Sequence, residues 1–429
     1  MKQSIFLSRM LPVALVFGTA WAARGQFGHE YGATWAAAIG ILAAIVFSGR
    51  EDWYKRLPAI TALAAIAWGA GGMISYGMLV GYSHAPDLLN TGYGMLMLTI
   101  AGGLYGYMGG GVLGLALEST PVRKVDWASL FTQMIAGGYL CWGVLIHQLE
   151  WLMTPPRSEL WAGCLGASLA LGWYMYRHGY HRALRTAWYS ALGGGFGFGL
   201  GVFLQRLGHA SGITFNWWNV MEYSTGFFSG LGLSYALYSR SYWPKTVTPH
   251  RTSNIIGWVF LVVLLPVLNL LEAVQFEKLV KQGIALNMER PESFAFAWRS
   301  ITCVLSLILS VILTIYFRPA RQQPSRTQVN WLILIYLTWY IVLSNILSAT
   351  WLHHKFDSQH LYWVNLVVIA IMLFKSKTFS GITDDNVPVR PWTAHLLKWW
   401  GIALLILLLA ACYAVTLNYQ HGGARLRFE

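Results

Sequence analysis

The chain has 429 residues, of which 56% are hydrophobic, 15% aromatic and 11% charged, with 30 Lys and Arg against 17 Asp and Glu. A soluble fold of this size, in which about a quarter of residues carry charge, is excluded. So is a disordered chain, which is poor in aromatics. What remains is an all-α polytopic membrane protein, whose spans of about 20 residues each have to be found in the apolar runs.

Thirteen transmembrane helices are expected, near 10–24, 29–48, 59–82, 92–117, 128–150, 159–176, 186–206, 216–238, 254–274, 297–317, 329–350, 360–374 and 394–417. The formal net charge of +13 suggests nucleic acid, but the distribution of charge points elsewhere. With the N-terminus in the cytoplasm, the inner segments carry most of the basic residues. They include Arg50, Lys55, Arg56, Arg123, Lys124, Arg177, Arg182, Arg185, Arg240, Lys245, Arg318, Arg321, Arg326, Lys375 and Lys377. That is the positive-inside bias, so the basic balance reports topology and no nucleic-acid partner is expected. The expected location is the plasma (inner) membrane, multi-pass, with the N-terminus cytoplasmic and the C-terminus outside.

Lys2, Arg9, the apolar run from Met10 and Ala20-Trp21-Ala22 imitate a cleavable signal peptide. An internal repeat argues that this helix is retained. Ala20-Trp21-Ala22-Ala23-Arg24-Gly25-Gln26 matches Ala67-Trp68-Gly69-Ala70-Gly71-Gly72-Met73, and further copies begin at Gly137 and Gly193. Each copy lies on an outward-running helix. The returning helices share small residues at a spacing of four: Ala36, Gly40 and Ala44; Gly106, Gly110 and Gly114; Gly163 and Ala167; Gly226, Gly230 and Ser234. Such stripes lie on one helical face and let backbones approach closely in lipid. The reading is four parallel two-helix repeats followed by a five-helix C-terminal part. This gives a repeat domain over 1–240 and a C-terminal membrane domain over 254–429, with a pseudo-axis along the membrane normal.

Where the copies depart from one another, chemistry is expected. The position of Gly71, Gly137 and Gly193 is Arg24 in the first copy, and that of Gly77, Gly143 and Gly199 is Glu30. On the returning helices, the position of Gly32 and Gly102 is Glu159 in the third copy and Glu222 in the fourth. Intramembrane charges are costly, about 2.5–3.5 kcal/mol or more near a helix centre, and are usually paired or functional. The plain alternative is a structural ion pair of Arg24 with Glu30 or Glu222. His29 adds a third titratable group, and the glycines of Arg24-Gly25-Gln26-Phe27-Gly28-His29-Glu30-Tyr31-Gly32 should break the helix, as membrane proteins permit where a cavity is lined.

The position of His29 is occupied by Tyr76, Trp142 and Phe198 in the other copies. These are either belt aromatics or a ring about the pseudo-axis. Asn216, Asn219 and Glu222 supply polar groups at the start of the eighth span. The expected substrate-binding set is therefore Arg24, Gln26, His29, Glu30, Tyr76, Trp142, Asn216, Asn219 and Glu222.

The four cysteines, Cys141, Cys164, Cys303 and Cys412, lie within spans at unrelated spacings and read as apolar core residues. Among the outer histidines His147 and Glu150 form the best local pair, but no metal-ligand spacing occurs within a span, and no metal is expected. The outer histidines as a group, with His84, His209, His353, His354, His360 and His421, read as solvated loop residues. No Walker loop, GxSxG or dinucleotide fingerprint is present, so no cofactor is expected. The outer loop near 271–298 carries Glu272, Glu277, Lys278, Lys281, Glu289, Arg290 and Glu292. Its charge spacing suits a short interfacial helix or a solvated connector.

Two functions compete. The first is a transporter or channel for a small polar or anionic solute bound in the outer half of the membrane. Arg24 would supply fixed positive charge, and Glu30, Glu222 or His29 would exchange protons. The second is a membrane-embedded transferase with an outward-facing site acting on a lipid-linked or small glycan or acyl substrate. There His29 or Glu30 would be the acid or base, and Arg24 would stabilise negative charge. A scaffold subunit ranks below both, since it leaves Arg24 and Glu30 without a role. The lipid bilayer and the solute are the expected partners, with a homo-oligomer left open.

Overall fold

The computed structural model describes residues 6–428 except 29, 158, 240–242, 246–249, 318–323, 353–355, 376–390, 418 and 420. Lys2, Arg240, Arg318, Arg321 and Lys377 therefore lie outside the described residues, as does the side chain of Glu272. Among the described residues the chain is helical, with no strand. Ten helices are long and apolar enough to cross a membrane, or eleven if one bent pair counts as a single span.

The first apolar run forms α1, Leu11–Ala23, with Pro12 in its first turn, where a missing N–H costs nothing. It stops in a 3₁₀ turn, Arg24–Phe27, and Gly28 takes φ +84°, a conformation natural only to glycine. The glycine-rich stretch thus breaks the helix as expected, and α2 resumes at Glu30–Ser48. A second break follows. α3, Leu57–Gly72, and α4, Gly77–Ser83, are bent by 54° where one span was expected over 59–82. Asp87 then caps α5, Leu88–Glu118, by accepting the Asn90 amide at 2.8 Å.

α6, Trp127–Trp142, and α7, Leu160–Arg177, form a hairpin. α8, His181–Ala210, runs unbroken through Gly193-Gly194-Gly195, and α9, Trp217–Tyr238, starts under an Asn216 cap. In the C-terminal part come α10 (Arg251–Leu271), α11 (Phe276–Ala285), α12 (Pro291–Phe317), α13 (Arg326–Leu347), α14 (Ser358–Lys375) and α15 (Thr393–Ala414). Of the two readings of residues 271–298, a solvated connector or a short helix, the structure has the short helix, α11, which packs on α12.

Six helices close into a ring in which each packs on the next: α1, α2, α3, α5, α8, α9 and back to α1. Small residues set the spacing. A Cβ on Gly106 would lie 2.1 Å from the Ser190 carbonyl oxygen on α8, and one on Gly226 would lie 2.4 Å from that of Phe17 on α1. Backbones this close leave no room for a side chain, and the attraction is van der Waals packing rather than water exclusion. The α6–α7 hairpin packs outside the ring against α5. Its outer face carries exposed Ile135, Tyr139, Leu169 and Trp173, as a lipid-facing surface should.

The C-terminal helices wrap the ring. α10 packs on α3, α13 and α14 on α1, and α15 on α8. Cysteine placement differs from the expectation. All four thiols are free, but only Cys164 is buried, while Cys303 and Cys412 are exposed on α12 and α15. A thiol is small and apolar enough to face lipid as readily as a core.

Candidate functional site

The two helix breaks meet. Arg24 follows the last residue of α1, and Tyr76 precedes the first residue of α4. The Arg24 Nη2 donates to the Tyr76 hydroxyl at 2.6 Å and to Glu222 Oε1 at 2.9 Å. Tyr76 in turn donates to the same carboxylate oxygen at 3.2 Å. Glu222 projects from α9, so three of the expected residues, from three different hairpins, form one triad. Arg24 is 2% exposed and Glu222 5%. Of the two partners open from sequence, Glu222 pairs with Arg24, and the side chain of Glu30 lies outside the described residues.

Aromatic rings wall the triad. The guanidinium lies 5.1 Å from the Trp21 ring centroid and 5.5 Å from that of Tyr76. Cation–π contacts of this kind strengthen when water is excluded. Tyr76 meets Phe198 edge-on at 5.1 Å and stacks with Trp218 at 6.3 Å. Of the four rings expected around a pseudo-axis, Tyr76 and Phe198 touch. Trp142 stands on the α6–α7 hairpin with its ring 4.4 Å from His147, and it lines an apolar groove with Met73 and Ile135.

Asn219 acts one step behind the triad. Its Nδ2 donates to the Ala22 carbonyl at 2.9 Å and to the Tyr362 hydroxyl at 2.7 Å. It thereby satisfies a carbonyl that α1 frees by ending where it does. Asn216 is the helix cap described above, and Gln26 is half-buried in the 3₁₀ turn. His29 and the side chain of Glu30 lie outside the described residues.

Two tyrosines escaped the sequence reading. Tyr340 on α13 stacks on Phe27 at 4.5 Å and packs against Trp35 at 4.9 Å, supporting the broken segment. Tyr362 on α14 holds Asn219. Both sit in apolar helices where a tyrosine carries no sequence signal beyond that of a belt residue.

The cover over the triad differs between its two sides. Gly25 is exposed, and a Cβ there would lie 3.5 Å from Glu222 Oε2, so one glycine separates the carboxylate from the surface. Trp218 beside it is 38% exposed. On the opposite side Phe17 packs on Trp68 at 4.9 Å and Trp21 on Tyr105 at 6.0 Å, with all four rings buried.

Glu159, Glu118 and Arg185 serve helix ends. Glu159, expected in the crowded interior, accepts the Met153 and Thr154 amides at 2.8 and 2.7 Å and the Trp161 indole at 2.8 Å, at the start of α7. Glu118 accepts the Ala183 amide at 2.8 Å, opening α8. Arg185 donates to the Ala236 and Ser239 carbonyls that end α9. Each is favourably placed for the helix dipole: carboxylates at N-termini, a guanidinium at a C-terminus.

Among the described residues no three His, Cys, Asp or Glu side chains are placed to hold a metal ion. His353 and His354 lie outside those residues. His84 departs from the solvated reading, being 3% exposed. No family model, curated protein or solved structure matches the chain.

Proposed function

We propose that this chain is a plasma-membrane carrier for a small polar or anionic solute, which binds at Arg24, Tyr76 and Glu222 in the outer half of the membrane. The observation that carries the reading is the convergence of two broken helices on one buried Arg–Glu pair. Broken helices at membrane depth place polar backbone where a solute can use it, and buried ionisable groups mark pathways for ions and solutes.

In this reading the thirteen spans include α7 and α9, the N-terminus is cytoplasmic and the C-terminus is outside. The first eight spans descend from one hairpin. An incoming anion displaces Glu222 from Arg24, whose planar fork of donors suits a carboxylate, phosphate or sulfate. The displaced Glu222 carboxylate takes up a proton, which ties solute entry to a proton gradient. Entry is from the side covered by Gly25 and Trp218.

The test is uptake by purified protein in liposomes offered a mixed pool of small polar metabolites and lipid-linked sugars, with inside and outside read separately by mass spectrometry. A carrier accumulates an unchanged solute, and Arg24→Ala abolishes it. The second reading, a transferase opening outward, is favoured by the thick aromatic packing of Phe17, Trp21, Trp68 and Tyr105 behind the triad. A new product on one side without accumulation would establish that reading instead.

A further inference from the structure

Helix α4 is only seven residues long, and both of its ends are engaged. At one end Tyr76 enters the triad. At the other, residues 421–428 cross the helix. The Arg425 amide donates to the Gly81 carbonyl at 3.1 Å, and a Cβ on Gly81 would lie 3.0 Å from the Gly423 carbonyl oxygen. The segment is anchored beyond that point by Asn90. The Asn90 Oδ1 accepts the Arg427 and Phe428 amides at 2.5 and 2.9 Å, and its Nδ2 donates to the Phe428 carbonyl at 3.0 Å. Arg427 also reaches the Leu152 carbonyl at 3.1 Å, and the Phe428 ring meets Tyr93 edge-on at 5.2 Å.

The contact between this segment and the end of α4 is built of histidines. His421 stacks on His84 with ring centroids 4.2 Å apart, and His209 on α8 lies 5.2 Å from His421 and 6.2 Å from His84. Tyr419 stacks on His209. The His84 Nε2 pairs with Gln205 Oε1 at 3.3 Å, while its buried Nδ1 has no hydrogen-bond partner among the described residues. A neutral ring with the proton on Nε2 fits this environment. An imidazolium would carry a second N–H with no acceptor among the described residues.

The charged and titratable neighbours are unfavourable as well. From α8 they are Arg206, which donates to the Ser83 and Ala85 carbonyls at 2.9 Å each, and His209. From the crossing segment they are His421 and Arg425. Asp87, at the start of α5, is committed to Asn90, and Glu159 to the Met153 and Thr154 amides. Among the described residues no carboxylate faces the histidines. Burial first, and then His421, hold His84 down to about 3, and burial lowers His421 as well.

We propose that residues 421–428 are a proton-released latch, which clamps α4 and Tyr76 in the closed position at neutral pH and lets go when His84 and His421 take up protons. What release opens rests on the carrier reading above; the latch itself does not.

The sign follows from linkage. A histidine neutral in the docked form and ordinary when released binds more protons in the released form, so docking weakens as pH falls through about 6.5. Between pH 7.5 and 5.5 one such histidine weakens docking about tenfold. Hydrogen exchange on the full-length protein in nanodiscs reads this directly at the Arg425, Arg427 and Phe428 amides, after correction for the pH dependence of chemical exchange. The expected result is at least a tenfold loss of protection from pH 7.5 to 5.5, abolished in His84→Gln/His421→Gln. If that pair of substitutions prevents folding, His421→Gln alone must reduce the pH response, and Arg425→Pro must remove protection at both pH values. Protection that is independent of pH, or a pH response that survives His421→Gln undiminished, overturns the latch. Uptake on the same samples separates the two ideas: a pH-released latch without uptake leaves the latch standing and removes the carrier.

Discussion

Replacing Glu222 by Gln tests whether the buried triad is a framework or a site. The amide keeps the shape and still accepts from Arg24 and Tyr76, so the change removes charge and little else. Two unit charges with centres about 4 Å apart attract by about 4 kcal/mol at an effective dielectric constant near 20. Removing one partner of a buried pair typically destabilises by about 3–5 kcal/mol, in agreement. Arg24→Met should be milder, because a stranded carboxylate can take up a proton whereas a stranded guanidinium cannot release one.

The decisive variant replaces the whole triad: Arg24→Met, Tyr76→Phe and Glu222→Met, with the phenylalanine preventing a stranded buried hydroxyl. Apolar replacement of a buried ion pair is often neutral or stabilising by about 1–4 kcal/mol. The triple variant should therefore melt at or above the wild-type temperature, Glu222→Gln several degrees below it, and all should lack uptake. Thermal unfolding followed by size-exclusion recovery, with uptake in parallel, reads both quantities. A triple variant as unstable as Glu222→Gln would refute the energetic reasoning, and one that still transports would refute the location of the site.

Tyr76→Phe alone keeps the ring against Phe198 but removes hydrogen bonds to two charged groups, each worth about 1.5–3 kcal/mol. Uptake affinity should fall at least tenfold with the fold intact, as measured by solute titration in liposomes. Gly106→Ala places a methyl 2.1 Å from the Ser190 carbonyl and must part α5 from α8. A loss of about 1–3 kcal/mol is expected in melting experiments, whereas Gly92→Ala, with open space around it, should match or exceed wild type. Gly28→Ala forces an L residue to φ +84° and ψ 164°, at about 1–3 kcal/mol, and should displace the 3₁₀ turn that presents Arg24. Uptake lost without loss of the folded monodisperse peak is the expected outcome; full uptake would show that the turn tolerates the change.

Much of this arrangement was legible in the sequence, for identifiable reasons. Arg24 and Glu222 stood out because sister segments keep glycine there, and a charge replacing glycine in an apolar helix has few places to go. The break at Gly28 was legible because three glycines in nine residues cannot sustain a helix. The break before Tyr76 carries the same kind of signal, in Gly71-Gly72 and Gly77, but the apolar run continues through it and hides the interruption. Glu159 misled because a carboxylate at a helix start looks the same, in sequence, as one aimed into a cavity. Tyr340, Tyr362 and the His84–His421 stack were not legible at all. Each depends on contact between segments far apart in the chain, Phe27 with Tyr340, Asn219 with Tyr362 and His84 with His421, which no local pattern encodes.

The position of Arg24 has a physical cause that joins the break to the charge. Ending α1 at Ala23 leaves its last carbonyls without intrahelical partners and concentrates negative partial charge there. Asn219 satisfies the Ala22 carbonyl, and the guanidinium of Arg24 sits at this negative end, between it and the Glu222 carboxylate. A continuous helix would offer the arginine neither the helix-end field nor the turn that carries it inward. Among the described residues the same break leaves Gly25 and Trp218 as the cover on this side, so the feature that makes a buried cation tolerable also brings the pair close to the surface. A purely structural ion pair has no need of that thin cover. A site that must exchange a solute does, which is why the break weighs more heavily than the ion pair in favour of function.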